Sequence, residues 1–244
     1  MKKLLIFGIV VVLISVNFHP NSIGESNLSG KIIYVDDDGD GDYTCIQDAI
    51  DNATEGDIIL VYSGLYSEIV IRSDNYTQSR KGITLRGIPY ELGEGNDTGK
   101  PNIDGIKTRS TVIYVRGAEN CVIQGFEIIN GNEGISVCDS WNNTIADNTI
   151  SSCTSGVELD DFLPRFCACN NVVENNTIYN CSYGVEILNA FDNIIRGNRI
   201  ENCSNYGVVI AVVLDKLNRT KNDVLNNYFI NNGRYSIFGD PQGG

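Results

Sequence analysis

Carboxylates carry the clearest chemical pattern in this 244-residue chain. Glu158 and Glu186 stand in the matching phrases Gly156-Val157-Glu158-Leu159 and Gly184-Val185-Glu186-Ile187, and Asp160, Asp161 and Arg165 follow the first phrase. Two carboxylates about 5 Å apart repel by about 3 kcal/mol at an effective dielectric of 20, against about 0.8 kcal/mol in water. Where water is excluded, one acid keeps its proton or a cation bridges the pair, which suits general acid/base work or calcium-assisted recognition of a uronate. A lyase would need Ca2+ on these carboxylates and a base such as Arg165; a hydrolase would need an acid and a second carboxylate at a suitable separation. The plainer reading is a pair of splayed, solvated charges on a strand.

A second acidic phrase, Asp36-x-Asp38-x-Asp40-Gly41, matches the first half of an EF-hand calcium loop. The twelfth position falls on Gln47, where the bidentate Glu belongs, so the alternative is an acidic turn leading into a helix. No cofactor is required by these readings, and Ca2+ is the one they admit. The only histidine is His19 and the only methionine is Met1. Both fall in a leader that reads as a secretory signal: Lys2-Lys3, an apolar run from Leu4 to Val16, and small residues ending near Gly24. Once it is removed, the chain has no Ser-His-Asp triad, no imidazole metal ligand and no transmembrane span. The formal net charge of −13 argues against nucleic acid and favours cations or neutral polymers.

The elements that must position these residues repeat. Ile123, Ile145, Val173, Ile195 and Val224 form one set of apolar anchors, and Ile128, Ile150, Ile178, Ile200 and Phe229 follow each of them by five residues. Val137, Leu159, Ile187 and Ile210 form a third set, and the basic unit is 22 residues long. Three short apolar segments per unit, separated by Asn/Gly turns, predict a solenoid in which each coil gives one strand to each of three parallel sheets. On the third-set strands the alternation points Tyr114, Ser136, Glu158, Glu186 and Val209 outward, so Glu158 and Glu186 stack on adjacent rungs. Two insertions, Asp160 to Asn170 and Val212 to Lys221, leave the ends of these same strands.

Before the coils, Thr44 and Gln47 predict a capping box for a short helix whose Ile46, Ala49, Ile50 and Ala53 share a face and which Gly56 ends. Such a helix would cover the open end of the solenoid. The expected division is a signal peptide over 1–24, an N-terminal strand and capping helix over 25–56, the solenoid over 57–238 and a tail over 239–244. Cys153, Cys181 and Cys203 each sit three residues after a second-set anchor and fall in one column with rungs about 4.8 Å apart, so two of them could bridge or all could pack as thiols. Trp141, Phe162, Phe166 and Phe191 lie at turns after the third strand, where they would stack on sugar rings or pack beneath the insertions. At the other end, the apolar Val208 to Leu214 needs a loop, more chain or a docked subunit to cover it.

Tyr34-Val35 with its acidic Gly-rich turn, Ile46-Gln47-Asp48-Ala49-Ile50, Gly56-Asp57, Gly64-x-Tyr66-x-Glu68 and Ile83-Thr84-Leu85-x-Gly87 together resemble the entry of right-handed parallel β-helix proteins of the pectin-lyase-like superfamily. The later repeats resemble the β-helix domain of the periplasmic accessory proteins of nitrous oxide reductase. The resemblance covers about Lys31 to Phe238 and implies an all-β, single-stranded right-handed parallel β-helix. It implies that Asn148, Asn176, Asn198 and Asn227 form an asparagine ladder, and that a substrate would lie on the outer face of one sheet, walled by the longer turns. The chain lacks the Gln-Ala-Val, Gln-Asp-Thr, Asp-Phe-Ile-Phe-Gly and Gly-Arg-Pro-Trp segments of pectin methylesterases, which speaks against that activity. Copper handling, implied by the accessory proteins, is poorly served without His and Met ligands. The expected function is a secreted or cell-surface protein that binds a glycan without catalysis, with Tyr114, Trp141 and Phe162 as sugar contacts. The alternatives are a polysaccharide lyase or hydrolase using Glu158, Glu186, Asp160, Asp161 and Arg165, and a structural or adhesive module.

Overall fold

The computed structural model describes residues 30–72, 82–107, 110–161, 167–211 and 222–239. They wind into a right-handed parallel β-helix of about 7 turns with three parallel sheets, one of eight strands and two of seven. The first sheet runs from Ile32–Val35 to Asp223–Leu225, the second from Leu65–Tyr66 to Tyr228–Ile230, and the third from Ile69–Arg72 to Tyr235–Phe238. Register follows the apolar anchors: Ile123 pairs with Ile145 and Ile145 with Val173, Ile128 with Ile150, and Val137 with Leu159 and Leu159 with Ile187. These side chains are fully buried and form one continuous core along the axis. The 28-residue step from Ile145 to Val173 keeps the register of the 22-residue steps.

The turns explain the abundance of asparagine. Between the first and second sheets, Asp147, Asn175, Gly197 and Asn226 take left-handed backbone conformations (φ 57°, 56°, 64° and 54°), which Asn, Asp and Gly accept most easily. The next residue in each turn is a ladder asparagine. The Asn148, Asn176 and Asn198 side-chain amides donate to the Oδ1 of the following rung at 3.2, 3.0 and 3.0 Å, and the same three backbone N–H groups donate to those oxygens at 3.0, 2.9 and 2.9 Å. A second column, Asn143, Asn171, Asn193 and Asn222, does the same between the third and first sheets. Sequence reasoning missed this column, although each member sits two residues before a first-set anchor.

The N-terminal helix forms over Ile46–Asn52 with Ile46, Ala49 and Ile50 buried, but without the expected capping box. Cys45 is the N-cap and no side chain caps the helix. Gln47 is used elsewhere: its Oε1 accepts the Val70 N–H at 2.8 Å and its Nε2 donates to the Val70 carbonyl at 3.2 Å. Val70 lies on Ile69–Arg72, the outermost strand of the third sheet, whose backbone has no next strand to pair with among the described residues. The amide therefore stands in for a missing rung, and an edge amide left bare is the larger cost.

The cysteine column does not bridge. Cys153, Cys181 and Cys203 are free and buried, and their thiols donate to the carbonyls of Ser151, Tyr179 and Glu201. Identical positions on successive rungs have parallel Cα–Cβ directions, whereas a disulfide needs convergent ones. The disulfide among the described residues joins Cys167 and Cys169. At the C-terminal end, the Tyr235–Phe238 strand pairs with Tyr206–Ala211 and keeps Val208, Val209 and Ile210 buried, while Leu225, Tyr228, Ile237 and Phe238 of the last coil are exposed. The expected leader, Phe162, Arg165, Phe166 and 212–221 lie outside the described residues.

Candidate functional site

The outer face of the third sheet carries three parallel rows of side chains. The middle row is Tyr114, Ser136, Glu158, Glu186 and Val209. To one side run Arg116, Cys138, Asp160, Leu188 and Ala211, and to the other Glu133, Ser155, Tyr183, Tyr206 and Tyr235. Around Tyr114, Ser136 and Glu158 the rows enclose a shallow cavity of about 280 Å³, with Glu133, Asp160 and Arg116 also at its wall.

Charge in this groove is unbalanced. Burial pushes the Glu158 carboxyl up to about 7, with Glu133, Asp160 and Glu186 adding to the rise and the Ser136 hydroxyl opposing it. That hydroxyl donates to Glu158 Oε1 at 3.2 Å. Asp160 is raised by burial, then by Asp139 and Glu186. Glu186 accepts the Ser155 hydroxyl at 2.5 Å, and Glu133 accepts the Thr111 hydroxyl at 2.6 Å and the Asn132 amide. Arg116 lies 4.0 Å from Asp139 at the groove's edge. Burial also raises Tyr114 to about 12 and Cys138 to about 11, so both stay protonated at neutral pH. Chemically, the groove offers a half-buried acid that donates a proton or a hydrogen bond near neutrality, carboxylates that accept, and hydroxyl donors beside them.

Beyond Glu186 the acidic side gives way to aromatic rings. Tyr183 and Tyr206 stack with centroids 6.1 Å apart, Tyr206 and Tyr235 at 6.2 Å, and Phe238 lies 4.9 Å from Tyr206. Sequence reasoning missed this column and Glu133, although each of these tyrosines stands two residues before an inward anchor in the phrases beginning Tyr183-Gly184, Tyr206-Gly207 and Tyr235-Ser236. Asp161 closes the strand end, its N–H donating to the Leu188 carbonyl at 3.1 Å. Trp141 is outside the groove, half-buried in the turn between third and first sheets and paired across a rung with Glu119.

The other acidic phrase does not close as an EF-hand. Asp36 Oδ2 accepts the Asp40 N–H at 3.2 Å, while Asp40 turns to accept the Glu94 N–H at 3.1 Å. Asp36, Asp38 and Asp40 are not brought together. Instead, oxygens of Asp37, Asp38 and Asp97 all lie within 4.8 Å of one another.

A three-sheet β-solenoid of this kind has the pectin-lyase-like fold. Residues 27–239 match the family model described as periplasmic copper-binding protein (NosD), and the chain belongs to that family. No curated protein is significantly similar in sequence. Among solved structures, the pectate lyase Pel9A is 16% identical with a TM-score of 0.56, over 74% of this chain and 50% of that one. A capsular polysaccharide depolymerase, the tailspike protein gp49 of Acinetobacter baumannii bacteriophage Fri1, is 11% identical with a TM-score of 0.57, over 86% of this chain and 48% of that one. An alginate lyase from Paenibacillus sp. is 14% identical with a TM-score of 0.51, over 82% of this chain and 76% of that one. The chain thus spans about half the length of the lyase and the tailspike, and these likenesses show the fold alone.

The described donors do not fit a copper centre. His19 and Met1 lie outside them, and of the stacked thiols burial pushes Cys203 up to about 11 and the contact with Cys153 raises Cys181, while that same contact lowers Cys153. Among the described residues, the group of three whose ligand atoms converge is all carboxylate, a hard donor set.

Proposed function

We propose that this chain is an exported protein that holds a glycan along the outer face of the third sheet without cleaving it. The observation that carries the reading is the continuity of the acidic groove with the Tyr183–Tyr206–Tyr235 column on one sheet face. Such a row offers hydrogen-bond donors, acceptors and aromatic edges at the spacing of successive rungs, as an extended chain of hydroxyl-rich rings requires. Net charge favours a neutral polymer, since a uronate would need a cation between it and the groove. The family's periplasmic description and the absence, among the described residues, of any helix long and apolar enough to cross a membrane are consistent with export.

A second reading has one observation behind it. Glu158, raised to about 7 and stacked on Glu186, resembles a general acid beside a second carboxylate, the pair used in glycoside hydrolysis. A polysaccharide panel, incubated with and without Ca2+ and read for binding, unsaturated products and reducing ends, separates the two. Binding without products supports the first reading. Products lost in Glu158→Gln or Glu186→Gln replace it with the second, and neither binding nor products overturns both.

A further inference from the structure

The N-terminal end of the solenoid holds a cluster of carboxylates that the groove does not use. Asp37 and Asp38 come from the turn after the first strand, and Asp97 from the 89–100 excursion that folds back over it. Two oxygens bound to one calcium ion at about 2.4 Å can be no more than about 4.8 Å apart. The oxygens of Asp37, Asp38 and Asp97 meet that limit, all lying within 4.8 Å of one another. Among the described residues, no Lys or Arg forms an ion pair with any of the three.

Asp36 supplies an independent observation. It is 0% exposed, and its Oδ1 is buried with no hydrogen-bond partner. Its carboxyl lies against Glu91 and Asp37, the acids that border and belong to the cluster. A buried carboxylate oxygen without a donor is costly unless a proton or a cation satisfies it. Asp37 Oδ1 is likewise buried and unpartnered, while its Oδ2 accepts the Leu65 N–H at 3.0 Å. Glu91 has both oxygens oriented by its own loop, accepting from Leu92 N–H at 3.0 Å and Asp97 N–H at 2.8 Å. A side chain at Gly95 would run into Asp38 and Glu91, so the loop is shaped to let these acids approach.

We propose that Asp37, Asp38 and Asp97, backed by Asp36 and Glu91, form a calcium site that pins the 89–100 excursion to the first turn of the solenoid. The all-oxygen donor set and its partial exposure, which leaves room for water ligands, suit Ca2+ better than Mg2+ or a soft metal. The site is separate from the groove and does not depend on what the groove binds.

The test is titration of the chelator-treated full chain with Ca2+ and Mg2+ by calorimetry, together with Tb3+ luminescence excited through tyrosine, since Tyr66 lies close enough to feel Asp37, Asp36 and Glu91. The expected result is one Ca2+ per chain with a Kd below about 1 mM, Mg2+ at least about tenfold weaker, and a Tm that rises with added Ca2+. Asp97→Asn and Asp38→Asn, both at exposed positions, should weaken Ca2+ at least about tenfold and quench the Tb3+ signal with an unchanged circular dichroism spectrum. Glu158→Gln should leave both untouched. Absence of Ca2+ binding overturns the proposal, as does binding that survives Asp97→Asn or disappears in Glu158→Gln.

Discussion

Two columns of identical polar side chains run along this solenoid, and the repeat treats them oppositely. The asparagines at 148, 176, 198 and 227 are stacked in a turn and buried or nearly so, and the amides of the first three each donate to the oxygen of the next. Glu158 and Glu186 stack at the same rung spacing on the outer face of the third sheet. An amide carries both donor and acceptor, so a column of amides satisfies itself. A carboxylate only accepts, so stacking leaves each dependent on a hydroxyl, a proton or a ligand. Ser136 and Ser155 supply the hydroxyls, and the rise of Glu158 to about 7 shows that they are not enough. One column closes on itself and gives stability; the other stays open and gives a site.

The largest effect should come from breaking the closed column. Asn176→Ala removes the acceptor for the Asn148 N–H and Nδ2 and the donor to the Ile145 carbonyl. At about 1–3 kcal/mol for each buried group left unpaired, a loss of about 3–5 kcal/mol is expected, read as a fall in the urea midpoint. A loss below about 1 kcal/mol would mean that water replaces the amide and the column is not self-contained.

The open column should instead respond to pH. Because the folded Glu158 titrates at about 7, above its ordinary 4.5, its contribution is fully present below about 4.5 and lost as the pH rises through about 7. Partial exposure and solvent screening hold the change to about 1–2 kcal/mol. Asp36, raised to about 6 by burial, falls in the same window, so the informative quantity is the difference between wild type and Glu158→Gln. Tm measured at pH 5 and pH 8 should fall less in Glu158→Gln, and equal falls would remove Glu158 as the strained member.

Smaller effects test the aromatic continuation and the plain surface. Tyr206→Ala, which removes the middle ring of the stack, should weaken glycan binding about fivefold while costing under about 1.5 kcal/mol of stability. Arg196→Ala breaks the 2.7 Å pair with Glu174 on an exposed face and should change stability by less than about 0.5 kcal/mol. A larger change there would mean that exposed ladders carry weight that the comparison assigns only to buried ones.

Much of the fold was legible because the solenoid repeats its neighbours. Ile145 could be placed between Ile123 and Val173 since the phrase around each is the same, and the outward direction of Glu158 follows from Val157 and Leu159 on either side. The second asparagine column and the tyrosine column carried the same kind of signal and were passed over. Gln47 was misread for a different reason. Its spacing from Thr44 fits a capping box, but the bare edge at Val70, 23 residues later, competes for the same amide.

The sequence by itself determined the coil period, the inward faces and the three-sheet architecture, because strand alternation and turn chemistry are local and each rung restates them. The tertiary structure alone decided that Asp97 meets Asp37 and Asp38, that the cysteine column stays unbridged, and that burial, with the acids around it, raises Glu158 to about 7. Those outcomes depend on the paths of non-repeating segments and on the sum of burial and charge at one point, and no periodic pattern encodes either.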